Sequence, residues 1–312
     1  MSRFARRFRI SVERYIALQR ALGYQFCKQA SILRAFVAYV GMSRAAGPLT
    51  QAVAVAFAMS GDLAANGRAK RYEVVRCFAQ YHAAFDPRTE SLDLRALPRS
   101  RAIAPPRILS DEELQLLMAA SHRVSTDLPL RGQTLSTLIG LLASTGLRSG
   151  EALRLDRSDV DLTTGVLQIR QSKFRKDRLV PVHRTTLATL REYTRHRDLA
   201  FPASTDPAFF ISTRGRRLRS GGLCYGFHQA CALAGLILPV SKLLRPHDLR
   251  HRFAVTRLAA WHRQKADVQS LLPVLATYLG HARYSDTAYY ITATPELLGL
   301  ASKNAFGNRG VV

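Results

Sequence analysis

Residues 166–182 read VLQIRQSKFRKDRLVPV. The two ends, VLQI and RLVPV, are short and β-branched, and a polar, cationic stretch joins them, so the segment predicts a β-hairpin. Almost everything on either side repeats at the helical period instead. The expected fold is therefore mainly α with one small β element, and the half of the chain that holds it is α+β.

Upstream of the hairpin, Ser110-Asp111-Glu112-Glu113 has the pattern of a capping box, in which the Ser oxygen and the Glu carboxylate satisfy orphan N–H groups at a helix start. Helices are predicted near 132–144 and 149–155, broken at the Thr145-Gly146 turn. Further upstream, PRSRAIAPPR at 98–107 contains three prolines, which remove backbone donors and fix φ, so neither helix nor central strand continues through it. That stretch is the expected basic linker between an N-terminal domain, 1–97, and a second domain, 108–312. The first domain shows helical periodicity near 10–22, 25–40, 50–60 and 67–85, interrupted at Gly23, Gly41-Met42 and Gly61, which predicts a small all-helical bundle. Its cations Arg68, Lys70 and Arg71 stand beside Tyr72 and suit a helix face laid along a phosphate backbone, although a solvated face fits them equally well. Downstream of the hairpin, helices are predicted near 184–200, 220–235, 246–262, 267–280 and 285–293, with FFIS at 209–212 strand-like.

Composition narrows the function class. The 312 residues include 46 Lys plus Arg against 22 Asp plus Glu, a formal charge of +24 and a pI near 10.9. Such a surface attracts a polyanion, and nucleic acid leads, because each neutralised phosphate releases condensed counterions. An anionic membrane fits less well: the longest apolar run, Ala52 to Met59, is far below the ~18 residues a span needs. No signal-peptide pattern follows the basic N-terminus, so a cytoplasmic location is expected. Cys27, Cys77, Cys224 and Cys231 form no C-x-x-C pair and are expected to be buried, reduced thiols.

Four polar clusters occur in order along the second domain. Thr145-Gly146-Leu147-Arg148-Ser149-Gly150-Glu151 presents the planar fork of Arg148 to phosphate oxygens, with Glu151 placed to hold it. The hairpin turn carries Lys173, Arg175, Lys176 and Arg178. Arg245-Pro246-His247-Asp248-Leu249-Arg250-His251 opens a helix on which His247 and Arg250 lie one turn apart, and a helix start adds its own attraction for anions. Leu279-Gly280-His281 is followed nine residues later by Tyr290.

Taken together and in this order, TGLRSGE, the Lys-containing hairpin ending in RLVP, HDLRH, LGH and the downstream Tyr resemble the tyrosine recombinases, the phage-integrase family, and its two-domain Xer-like and mobile-element members in particular. The resemblance spans the second domain and, more loosely, the first, implying a SAM-like core-binding helical bundle followed by a tyrosine recombinase catalytic domain. It implies that Arg148 and Arg250 clamp the phosphate, that His247 and His281 handle protons or hydrogen bonds, that Tyr290 is the nucleophile and that Lys173 is the general acid. Arg175, Lys176 and Arg245 then join Arg68, Lys70 and Arg71 as expected DNA contacts. The family's hairpins usually flank the lysine with glycines, whereas Ser172 and Phe174 stand here, which leaves Lys176 as a rival acid. Tyr289, one helical step of ~100° away, is a rival nucleophile that would point elsewhere.

The implied function is site-specific recombination of double-stranded DNA through a 3′-phosphotyrosyl intermediate, for integration, excision or transposition of a mobile element. Four protomers would act on two duplexes, with TPELLGLAS at 294–302 as a possible docking helix. One phosphodiester is exchanged for one phosphotyrosine, so no external energy source is needed, and no carboxylate cluster suggests a metal; no cofactor or metal is expected. Two other readings stay open on sequence alone: a non-catalytic DNA-binding regulator on the same scaffold, and a topoisomerase-like strand relaxer.

Overall fold

A computed structural model describes residues 3–43, 47–97, 107–125, 127–170, 177–236 and 243–281, with the single positions 287, 290 and 299. The chain divides into two compact units, Met1–Ala104 and Pro105–Val312. Of the expected linker, 98–107, all but Arg107 lies outside the described residues.

The first unit holds four helices, α1 (Arg3–Ala21), α2 (Cys27–Met42), α3 (Gln51–Met59) and α4 (Ala65–Ala83). Helix α1 starts well before residue 10, where the periodicity begins, because Phe8 is buried and packs against Phe36 and Phe78. Helix α3 is capped by Thr50, whose hydroxyl accepts from the Val53 N–H at 3.3 Å. The core is a net of rings: Phe78 lies 5.8 Å from Tyr15 and stacks on His82 at 5.4 Å, while Phe36 meets Phe57 edge to face at 5.2 Å. Of the cations expected to face a phosphate backbone, Lys70 pairs with Glu73 at 3.0 Å. Arg71 is anchored in the fold, donating to the Ser60 carbonyl at 2.7 Å and lying 5.1 Å over the Phe57 ring. Arg68 is half-buried, with its Nε out of water.

The second unit opens with the expected capping box: Ser110 Oγ accepts from the Glu113 N–H at 3.1 Å and Glu113 Oε2 from the Ser110 N–H at 2.9 Å, starting α5 (Asp111–His122). Helices α6 (Pro129–Thr145) and α7 (Ser149–Arg154) follow. The hairpin forms as β2 (Val166–Ile169) and β3 (Arg178–Pro181), with Leu167 opposite Val180. It is part of a three-stranded antiparallel sheet, because β1 (Val160–Asp161) pairs with β2. Two residues are too few to show alternation, so β1 leaves no trace in the sequence pattern. Leu167, Ile169 and Val180 turn inward and Leu179 outward, as the period of two requires.

Helices α8 (Arg184–Ala200), α9 (Ser220–Leu233), α10 (Asp248–Arg263) and α11 (Val268–Leu279) complete the described elements. FFIS is not a strand. Ile211 makes one isolated bridge with Arg217, while Phe209 and Phe210 are core residues and the Ile211 N–H donates to the Tyr193 hydroxyl at 3.1 Å. The cysteines also depart from expectation: Cys231 is buried, but Cys27 and Cys224 are exposed. Helical periodicity around a Cys does not say which side of the helix it takes. Among the described residues no helix is long and apolar enough to cross a membrane.

Candidate active site

Two glycine turns shape the site. Helix α6 ends at Gly146, φ 64°, whose N–H returns to the Leu142 carbonyl at 2.9 Å, and α11 ends at Gly280, φ 68°. Both conformations are left-handed, and both positions are crowded. A Cβ on Gly146 would lie 2.5 Å from the Phe253 ring, and one on Gly280 would lie 2.6 Å from Arg178 Nη1.

Two arginines bind these turns to each other. Arg250, from α10, is 1% exposed and donates to the carbonyls of Gly146 at 2.7 Å and Leu279 at 2.9 Å. Arg148, at the cap of α7, donates to the Gly280 carbonyl at 3.0 Å and to Glu151 Oε1 at 2.7 Å. Each guanidinium thus holds the last turn of α11. A fork with five N–H groups can do this and still present donors to an anion.

Glu151 is the counter-charge. Its side chain is 1% exposed and is held by Arg148 on one side and by Arg178, from β3, on the other, at 2.8 Å to Oε2. Burial alone would push its carboxyl up, yet Arg178 and then Arg148 outweigh burial and hold it at about 2. Arg178 also donates through Nε to the Tyr278 carbonyl at 2.9 Å, tying the hairpin to α11. In the sequence it reads as one of four cations of a solvated turn, and nothing local marks it as buried. Its partner stands 27 residues away.

Four rings then line up beside the arginines. His247, at the cap of α10, meets His251 edge to face at 4.8 Å; His251 is tilted against Tyr290 at 5.5 Å; Tyr290 stacks on His281 at 6.1 Å with 18° between planes. His281 is placed by its backbone N–H, which donates to the Ala276 carbonyl at 2.9 Å, and by Nδ1, 2.6 Å from Thr287 Oγ1. Tyr290 is 3% exposed and packs in a cluster with Phe253, Leu258, Leu275 and Leu279.

The field here is positive. Burial, and then the charge of Arg148, lowers Arg250 to about 10, with Tyr290 and Glu151 opposing the shift, so Arg250 stays charged at neutral pH. His247 is lowered to about 4, by burial first and then by His251 and Arg250. His247 keeps an exposed face where water tempers the effect, but the direction leaves it neutral at pH 7. Burial also lowers His251. An arriving anion would oppose the part of these shifts that comes from neighbouring positive charge.

The structure thus brings together Arg148, Glu151, His247, Arg250, His281 and Tyr290, from segments far apart in the chain. Arg245 stands at the rim, exposed and paired with Asp248 at 3.1 Å. Lys173, Arg175, Lys176 and Tyr289 lie outside the described residues. Sequence reasoning missed Arg178 and His251. The second had a signal, four residues after His247 and so on the same helix face.

The model for the Phage integrase family matches residues 107–296. A protein of Sinorhizobium fredii (strain NBRC 101917 / NGR234), provisionally named integrase/recombinase y4rE, is 59% identical over 310 residues, which is 99% of each chain. Tyrosine recombinase XerD of Mycobacterium tuberculosis (strain ATCC 25618 / H37Rv) is 35% identical over 215 residues, 66% of this chain and 65% of that one. Among solved structures, the Tn1549 transposon integrase in complex with transposon right end DNA shares the fold with a TM-score of 0.68 at 13% identity, over 95% of this chain and 99% of that one.

Proposed function

Since this chain belongs to the phage integrase family, the tyrosine recombinases, we propose that it is a site-specific recombinase that cuts and rejoins double-stranded DNA through a 3′-phosphotyrosyl intermediate. The observation that supports this most directly is the convergence of Arg148 and Arg250 on the two glycine turns beside a tyrosine flanked by imidazoles.

The Tyr290 oxygen attacks a DNA phosphorus, forming the O–P bond as the bond to the 5′ oxygen breaks. Negative charge grows on the non-bridging oxygens in the five-coordinate transition state, and two guanidiniums already oriented there stabilise it more than the ground state. His247 and His281 supply hydrogen bonds to the same oxygens. A free phenol has a pKa of ~10, so Tyr290 needs a positive environment and a proton acceptor, both of which the site offers. The leaving 5′ oxygen takes a proton from a lysine of the hairpin, Lys173 in our assignment, with Lys176 the other candidate. Exchange of one phosphodiester for one phosphotyrosine requires no external energy source.

In this reading residues 108–312 carry the chemistry, and residues 1–97 bind the DNA backbone through cations such as Arg68 and Lys70. Four copies assemble on two duplexes, in service of a mobile element. A relative that is 59% identical along nearly the whole chain and named an integrase/recombinase supports that setting.

The test is to map covalently bound DNA ends by sequencing, then to present a nicked duplex of that site and resolve the products on a denaturing gel. A protein–DNA adduct forms with the wild type and not with Tyr290→Phe. An adduct that survives this substitution removes Tyr290 from its role. A 5′-bridging sulfur substrate, whose leaving group needs no proton, restores cleavage to Lys173→Ala; failure to do so reassigns the acid.

A further inference from the structure

One imidazole of the ring row has no part in that reaction. His251 stands between His247 and Tyr290, and its Nδ1 is buried with no hydrogen-bond partner. An orphaned polar atom of this kind is destabilising, a cost that a carbon at the same place would avoid. Such an atom in a folded protein calls for an explanation, and a partner that appears only during the reaction is one.

The other two imidazoles are less well placed for the proton of the nucleophile. His281 already has Nδ1 against Thr287 at 2.6 Å, and its ring lies nearly parallel to that of Tyr290, presenting a face instead of an edge. His247 meets His251 edge to face, and it is the His251 ring that lies against Tyr290. The His251 ring lies nearer to Tyr290 than that of His281, at 5.5 Å against 6.1 Å, is tilted 59° to it, and has a nitrogen to spare.

We propose that His251 is a further catalytic residue, whose Nδ1 takes the hydrogen bond and then the proton of the Tyr290 hydroxyl. The inference rests on the recombinase reading above. In cleavage the phenol O–H bond breaks, its proton passes to Nδ1, the phenolate oxygen bonds to phosphorus, and the 5′ oxygen leaves with a proton from the hairpin lysine. In rejoining, a 5′ hydroxyl returns its proton to the hairpin lysine as its oxygen attacks phosphorus and the tyrosyl O–P bond breaks, and the departing phenolate recovers its proton from the His251 imidazolium. The charged groups around His251 are Asp248, which favours the imidazolium, and Arg245 and Arg250, which oppose it, with His247 and Tyr290 against the ring itself. In the DNA-free chain burial, ahead of these charges, disfavours the imidazolium and leaves His251 able to accept at pH 7, and the phosphate adds the negative charge that steadies the imidazolium.

The experiment measures the first-order rate of covalent complex formation at saturating nicked DNA, from pH 6 to 9.5 on the scale of about 10²–10⁴-fold that a general base contributes. His251→Phe keeps a ring and removes the orphaned nitrogen. It is expected to slow cleavage by about 100-fold at pH 7, with DNA affinity within threefold of wild type, and the deficit should shrink toward pH 9.5 as the phenol ionises unaided. His251→Asn, which accepts a hydrogen bond but not a proton, shows a deficit that narrows in the same way, and it decides the matter if the Phe variant melts early. Wild-type rates in either folded variant, or a deficit equal at every pH, overturn the proposal. If the wild type itself makes no adduct, the recombinase reading fails instead; if it does, Tyr290→Phe abolishes it and both His251 variants cleave at the wild-type rate, this inference fails alone.

Discussion

The two units bury different things. The first is built around rings, with Phe8, Phe36, Phe57 and Phe78 inside and its ion pairs outside; in Arg34–Glu13 both side chains are about half exposed. The second buries guanidiniums. Arg250, Arg197 and Arg252 lie in its interior, and Arg178 is nearly sealed against Glu151. Arg250 and Arg197 find carbonyl oxygens there, at Gly146 and Leu279 for one and at Phe209 for the other. Apart from Arg71, held at the Ser60 carbonyl, the first unit's ion-paired charges are therefore replaceable parts of a surface, whereas charges in the second hold the chain in shape.

Arg250→Lys should break this contrast most severely. A lysine cannot bridge the Gly146 and Leu279 carbonyls as a planar fork does, and removing one oriented donor of this kind costs about 10²–10³ in rate. Covalent complex formation on nicked DNA checks it; near-normal cleavage would mean that the fork is dispensable. Next comes Phe78→Ala, which opens a hole among Phe8, Tyr15 and His82 and should destabilise the first unit by about 3–5 kcal/mol in urea unfolding.

The Glu151 carboxyl gives a smaller effect with a definite sign. Its pKa is depressed from 4.5 to about 2, so its contribution is complete above pH 4.5 and is lost as pH falls toward 2. The difference corresponds to about 3 kcal/mol, an order-of-magnitude figure. Chemical unfolding followed from pH 5 to 2 should show this loss in wild type, and Glu151→Gln should flatten that part of the profile while being less stable at pH 7. At the bottom of the scale, Arg34→Ala should leave the melting temperature unchanged within error, since an exposed pair is screened by water and salt. A clear drop there would erase the distinction between the two units.

How much of this was legible in the sequence follows the same division. Local rules found the Ser110 capping box, the hairpin at 166–182 and the Thr145-Gly146 break, because each depends on neighbours a few residues apart. The order of TGLRSGE, HDLRH, LGH and Tyr290 identified the family, since spacing along the chain is itself the signal. Arg178 was out of reach: a cation in a cationic turn looks solvated, and only the fold brings Glu151 to it. His251 was hidden differently, as the last letter of a motif whose other members already had roles. Strand β1 and the early start of α1 were missed because one is too short to have a period and the other depends on Phe8 meeting rings from α2 and α4.

The double duty proposed for Arg148 and Arg250, holding the glycine turns and meeting a phosphate, bears on how such a protein can lose its activity in the course of descent. Deleting either arginine would loosen the ends of α6 and α11 along with the chemistry, whereas trading Tyr290 for phenylalanine removes one oxygen from a packed cluster and leaves the scaffold standing. A lineage that kept the fold for binding alone should therefore discard the phenol first and retain both guanidiniums long after they had ceased to meet a reacting phosphate.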